Sequence, residues 1–382
     1  MRSLRWGTYA ILLCVGLYAG ALGPALESFA EDLDVSLDTA GLLVSGIFVG
    51  SIATSALVAA RLHRSSQRRL AIVGSVLICI GLIALGFASA WWAALLGAVA
   101  LGFGDGLTVS AAHALAATAG PNPSLNISRI NQAFAVGAMA GPALSGVVLT
   151  AGDARWPIFV GIAFATAATG VLIVCSPEPR ANHHDAHATG SAPPDVRLAW
   201  LMGGLLFLYV GAEIGLGSWI TSYTRAAADA SLLSGALVTS GFWGALLIGR
   251  FASGLALTRG RTAVQLLGIG LVGGLVGSVV LVAAGNVFVI GALAAIITGF
   301  FFGPIWASAI AIGTSGGRSA APAALVTLGN AGGIVLPWVQ GRILVDGGAR
   351  AGISVSAVLC LAMLVVAAIA VRSRPIDQRL TG

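Results

Sequence analysis

Continuous apolar runs about twenty residues long alternate with short polar turns along the whole chain. The runs lie near 6–29, 39–60, 70–90, 92–116, 126–150, 154–175, 196–223, 232–257, 262–283, 286–312, 320–345 and 350–371. At a rise of 1.5 Å per residue, each is long enough to cross about 30 Å of hydrocarbon. Inside a bilayer only helices and closed barrels satisfy every backbone N–H and C=O. Barrel strands would show alternating segments of about ten residues, and these runs are continuous. The pattern therefore predicts an all-α polytopic membrane protein of about twelve transmembrane helices. The first run lacks an A-x-A cleavage site near its end and is expected to be retained as the first span.

Composition agrees with this pattern. The 382 residues are 57% hydrophobic and only 9% charged, against roughly 25% charged in a soluble domain. The net charge of +6 does not point to nucleic acid, because most of the basic residues, all arginine, lie in the turns between apolar runs, with Arg250 and Arg342 near span ends. With the N-terminus in the cytoplasm, Arg2, Arg5, Arg61, Arg64, Arg68, Arg69, Arg129, Arg180, Arg197, Arg259, Arg261, Arg318, Arg372, Arg374 and Arg379 lie inside. Arg155, Arg225 and Arg350 lie outside, a ratio of 15 to 3. Such a bias orients a chain in the membrane and predicts cytoplasmic N- and C-termini in the plasma (inner) membrane. Trp91, Trp92 and Trp156 read as interfacial anchors. Cys14, Cys79, Cys175 and Cys360 sit in apolar runs without metal-ligand spacing and are expected to be core fillers.

One linker is evident. Residues 176–195 hold four prolines together with His183, His184 and His187. A histidine-rich tract can bind metal, but here it reads as a solvated cytoplasmic linker, and no metal site is expected. It separates an N-terminal six-helix bundle, 1–175, from a C-terminal one, 196–382. The two halves resemble each other at an offset of about 190–197 residues. Leu17-Tyr18-Ala19-Gly20-Ala21 matches Leu208-Tyr209-Val210-Gly211-Ala212 at four positions of five. Gly102, Phe103 and Gly106 match Gly299, Phe300 and Gly303, and Pro142 and Gly146 match Pro337 and Gly341. Parallel six-helix repeats describe a class of transporters whose substrate path lies between the halves near midplane. Pro142 and Pro337 should bend the fifth and eleventh spans.

Charge inside the membrane marks candidate chemistry. Of 14 acidic residues, only Asp105 and Glu213 lie well inside a span. The charged form costs at least about 2.5–3.5 kcal/mol there, which makes each a functional candidate. They are candidates for proton coupling, and Glu213 also for substrate contact. The alternative for each is a structural acid, paired with an arginine or capped by neighbouring hydroxyls. His113 lies eight residues, about two turns, from Asp105 on the same helix face. With Asn126, Asn131 and Gln132 it could form a polar cluster for solute hydroxyls, or simply polar contacts between helices. Second-half candidates for substrate contact are Tyr209, Trp219, Trp306, Asn330, Trp338 and Gln340.

Several stretches resemble the major facilitator superfamily, and within it the fucose/glucose–proton symporter-like branch. Leu208–Thr224 (LYVGAEIGLGSWITSYT) is similar to that branch's seventh span, and Leu125–Leu149 (LNISRINQAFAVGAMAGPALSGVVL) to its fifth. Gly299–Ala309 (GFFFGPIWASA) and Gly329–Arg342 (GNAGGIVLPWVQGR) resemble the tenth and eleventh. The superfamily's loop signature between spans two and three is degraded here to Arg61–Arg69 (RLHRSSQRR). Its second-half counterpart, Arg250 through Arg259-Gly260-Arg261, is better kept. The resemblance implies two pseudo-symmetric bundles, alternating access, and a gating role for Arg250, Arg259 and Arg261 alongside the bends at Pro142 and Pro337. It implies a secondary transporter of a sugar or related polar metabolite driven by a proton gradient, monomeric and without a bound cofactor. Sugar-type symporters carry an acid midway through span one. Here that region reads Gly23-Pro24 and the first acid is Glu27. Efflux of a drug or metabolite by antiport therefore stays open. A transporter-like sensor or intramembrane enzyme ranks lower, because the six-helix pattern is duplicated and no catalytic motif such as H-E-x-x-H is present; the lack of GxxxxGK[ST] argues against ATP-driven transport.

The arginine distribution is directly testable. A single cysteine introduced at Asp185 in a cysteine-free background should react with an impermeant maleimide only from the cytoplasmic face. Labelling of intact cells from outside would reverse the topology.

Overall fold

The computed structural model describes residues 2–62, 65–118, 123–152, 154–175, 196–315 and 321–372; the linker 176–195 lies outside them. The described residues form helices α1 (Arg2–Asp32), α2 (Leu37–Leu57), α3 (Gln67–Phe87), α4 (Trp91–Thr118), α5 (Pro123–Gly152), α6 (Trp156–Val174), α7 (Val196–Ala228), α8 (Leu232–Thr258), α9 (Ala263–Ala284), α10 (Phe288–Phe302), α11 (Ile305–Gly313), α12 (Ala321–Gly347) and α13 (Ala349–Arg372), with a π-helical turn, Val58–Leu62, extending α2. The fold is all-helical. Among the described residues, eleven spans are long and apolar enough to cross a membrane, with α10 and α11 making up one of them. The remaining long helix, α12, has 27 residues and carries Asn330, Gln340, Arg342 and Asp346.

The run 286–312 is one membrane-spanning segment, Phe288–Gly313, as expected, and within it Gly303-Pro304 separates α10 from α11. Proline lacks the N–H that would continue the ladder. Pro142 and Pro337, by contrast, lie inside helices that continue through them. The four cysteines are free. Cys14 and Cys360 are buried, while Cys175 is exposed at the end of α6 and so is not a core filler.

Two compact units divide the chain, one of Met1–Asn182 with Ser231–Ser240, the other of His183–Ala230 with Gly241–Gly382. In the first, α1 packs on α5, α4 on α2 and α3, and α3 on α6. In the second, α7 packs on α12 and α13, and α9 on α10 and α13. The lipid-facing stripe is plain on α3, where Val73, Val76, Ile80, Ile83 and Phe87 are exposed at alternating three- and four-residue spacing.

Glycine sets the helix crossings. A Cβ on Gly137 of α5 would fall 2.1 Å from the Leu13 carbonyl of α1, and one on Gly16 would fall 1.9 Å from the Phe134 carbonyl of α5. The two backbones therefore touch, as small residues permit in membranes. The same device joins α12 to α7, where a Cβ on Gly332 would lie 1.9 Å from the Phe207 carbonyl.

The turns repeat as well. Asp34 after α1 and Asp229 after α7 both have positive φ, 52° and 50°, a conformation aspartate tolerates better than most residues. Two residues later, Ser36 and Ser231 precede the next helix, and their hydroxyls meet those of Thr39 (2.8 Å) and Ser234 (2.9 Å). At the end of α1, Arg155 binds Asp32 and the carbonyls of Leu85 and Ala88, with its guanidinium 4.9 Å over the Phe29 ring. One side chain thus ties α1, α3 and the start of α6 together and caps carbonyls at the end of α3.

Gly137→Ala should therefore force α1 and α5 apart and cost about 1–3 kcal/mol by overpacking. Gly161→Ala, where an added Cβ meets nothing within 4 Å, should be neutral or slightly stabilising. Thermal unfolding in detergent compares the two. Equal midpoints would show that the α1–α5 contact is slack.

Candidate functional site

Among the described residues, each unit has a polar centre built around the tyrosine of the repeat. In the first, Gly16 and Gly20 place one face of α1 against α5. Residue 18 lies midway between them, about 200° around the helix, and so points the other way. The Tyr18 hydroxyl donates to Oδ1 of Asp105 at 2.5 Å, and the Ser51 hydroxyl donates to Oδ2 at 2.6 Å. Gly106 explains Ser51's reach: a Cβ there would stand 2.4 Å from the Ser51 carbonyl, so glycine lets α2 close onto α4 beside the acid. Tyr18 is buried and Asp105 half-buried. Among the described residues, no arginine is paired with Asp105; hydroxyls alone hold both its oxygens.

In the second unit, Tyr209 is fully buried and donates to the Phe302 carbonyl at 3.1 Å. That carbonyl ends α10 at the Gly303-Pro304 break, where the interrupted ladder leaves acceptors to satisfy. Glu213 lies one turn beyond Tyr209 on the same face of α7. Its Oε1 accepts from Arg250 Nη2 of α8 at 3.0 Å. The Glu213 side chain is 9% exposed and that of Arg250 32%. Arg250 is thus well inside α8, not at its end, and its guanidinium belongs to the same centre as the acid. Arg259 and Arg261, in contrast, are exposed in the α8–α9 turn, which Gly260 makes with φ +85°.

The remaining candidates separate into groups. His113 Nε2 lies 3.2 Å from Asn131 Oδ1, and its Nδ1 lies 2.8 Å from the Val109 carbonyl. Gln132 donates to Ser128 instead, and Asn126 is buried. Trp219 is fully buried and donates to the Pro337 carbonyl at 2.7 Å. Gln340 is also fully buried; it donates to Ser356 and fills the space over Gly215. These two serve the α7–α12 and α12–α13 packing. Trp306 is half-buried, its ring centroid 6.2 Å from that of Tyr209 and its edge over Gly329. Asn330 and Trp338 are half-buried on α12. Pro142 packs on Gly20, and the next N–H, that of Ala143, donates to Ser240 within the first unit. Among the described residues no three His, Cys, Asp or Glu side chains cluster as metal ligands. Sequence reasoning missed Tyr18 and Ser51. The recurrence of Tyr18 in both repeats was the available signal.

The family model of the Major Facilitator Superfamily matches residues 8–318. The chain belongs to the Major Facilitator Superfamily. It is a membrane transporter with the fold of that superfamily. Solved structures with this fold include a D-xylose-proton symporter (TM-score 0.78, 15% identity, 95% of this chain and 96% of that one). The nucleoside transporter NupG aligns with a TM-score of 0.72 at 14% identity over 97% and 98% of the two chains. A variant of the E. coli fucose:proton symporter FucP aligns with a TM-score of 0.64 at 16% identity over 98% of each. No curated protein matches the chain by sequence.

The Glu213–Arg250 pair gives this transporter a specific vulnerability. Arg250→Ala leaves a buried carboxylate without its cation and should cost about 3 kcal/mol, the low end for such pairs because Arg250 is one-third exposed. Adding Glu213→Gln should recover most of that loss in a thermal-unfolding assay. A double variant no more stable than Arg250→Ala would mean that the pair carries no coupling energy.

Proposed function

We propose that the chain is a secondary active transporter that moves a small polar solute, a sugar or related metabolite, by alternating access of its two six-helix bundles, coupled to protons through Asp105. One observation carries the proton reading: Asp105 is held only by the hydroxyls of Tyr18 and Ser51, whereas Glu213 is neutralised by Arg250. Gaining a proton at Glu213 would break an ion pair. At Asp105 it requires only that a hydroxyl turn, since serine donates and accepts equally well. The same two side chains can hold the acid in both charge states. A tenfold difference in proton affinity between the two access states would supply about 1.4 kcal/mol to the transport cycle. Glu213 and Arg250, with the Trp306 ring beside Tyr209 of the same centre, are the second-half groups offered to solute hydroxyls. The likeness in fold to symporters of xylose and fucose and to a nucleoside transporter supports a polar solute. The arginine bias supports the plasma membrane with both termini inside.

Proteoliposomes given labelled pentoses, hexoses and nucleosides, with and without an inward proton gradient, test this reading. The wild type should accumulate one of these classes only with the gradient. Asp105→Asn should abolish accumulation and retain solute exchange, because the amide imitates the protonated acid. Accumulation by Asp105→Asn with wild-type pH dependence would place the coupling proton elsewhere. Solute movement against the proton flux would establish the antiport alternative.

A further inference from the structure

At one end of the second bundle, a groove of about 390 Å³ runs between the first turns of α7 and α9 and the last turns of α11 and α13. Met202, Leu267, Leu271, Ile312 and Leu364 form its walls, and the lining is hydrocarbon except for Arg372, the last residue of α13. Apart from Arg372 the walls offer a polar molecule no side-chain partner, so an apolar occupant suits them. Gly268 of α9 lies in the lining, and a side chain added there would meet no atom within 4 Å. Arginines gather at this same end: Arg197 opens α7, Arg259 and Arg261 form the α8–α9 turn, and Arg372 closes α13. Basic pockets between transmembrane helices suit anionic lipid headgroups.

We propose that this groove is a binding site for an anionic phospholipid, with one acyl chain between α9 and α13 and the phosphate on Arg372. The hydrocarbon walls select a chain over a polar solute. The arginine at the mouth selects a charged headgroup over a zwitterionic one. The site is formed wholly by the second bundle and stands apart from the Glu213–Arg250 centre, so it does not depend on the transport reading.

The test titrates the purified, delipidated full chain with phosphatidylglycerol and with phosphatidylcholine of the same chains, read by thermal shift and by native mass spectrometry. Phosphatidylglycerol should bind at least tenfold more tightly. Gly268→Phe should fold with an unchanged lipid-free midpoint and lose phosphatidylglycerol binding at least tenfold. Arg372→Gln, a surface change, should bring phosphatidylglycerol down to the phosphatidylcholine level and leave phosphatidylcholine unaffected. Equal wild-type affinity for the two lipids, or undiminished binding by folded Gly268→Phe, would overturn the proposal. Removal of residues 373–382 should leave lipid binding unchanged. A tenfold gain on that truncation would assign the groove to the chain's own tail instead.

Discussion

Helices in this protein meet backbone to backbone at their crossings, and those contacts place its polar side chains. In lipid no hydrophobic force drives one apolar helix against another, so association rests on close packing. The α1–α5 crossing achieves it by mutual glycine contact, with Gly16 on the Phe134 carbonyl and Gly137 on the Leu13 carbonyl. That crossing fixes the rotation of α1 and therefore the direction of Tyr18. On α4, Gly104 meets the Gly74 carbonyl of α3 and Gly106 meets the Ser51 carbonyl of α2. Asp105 stands between them, so the glycines that pack α4 also deliver the acid to its hydroxyl partners.

The two repeats keep this framework and change what it holds. Tyr18 and Tyr209 occupy matched positions, and the offset that aligns Gly102 and Gly106 with Gly299 and Gly303 aligns Asp105 with Phe302. Both tyrosines donate to that matched residue: Tyr18 to a side-chain carboxylate, Tyr209 to a main-chain carbonyl. The second bundle carries its acid one turn beyond its tyrosine instead, together with a cation from α8. A duplicated scaffold has thus acquired two different electrostatic centres, one capped by hydroxyls and one an ion pair. The two acids differ in their partners, two hydroxyls for one and a guanidinium for the other.

Much of the architecture was legible in the amino-acid order because the bilayer restricts the choices. Apolar runs of spanning length must be helices, so element type and number followed from hydropathy. The matched LYxGA and Gly/Pro positions exposed the duplication, and an acid deep in a span announced itself by its cost. What side chains touch across helices was not legible, since it depends on each helix's rotation and on which glycines meet. Hydropathy along the chain already places Asp105 and Glu213 within spans. Packing in three dimensions sets Arg250 against Glu213, and Tyr18 and Ser51 against Asp105. It also turned Trp219 and Gln340 into packing residues and broke the tenth span at Gly303-Pro304. Burial is a property of a segment, readable along one dimension, whereas a hydrogen bond is a property of two segments whose approach the backbone contacts set in three.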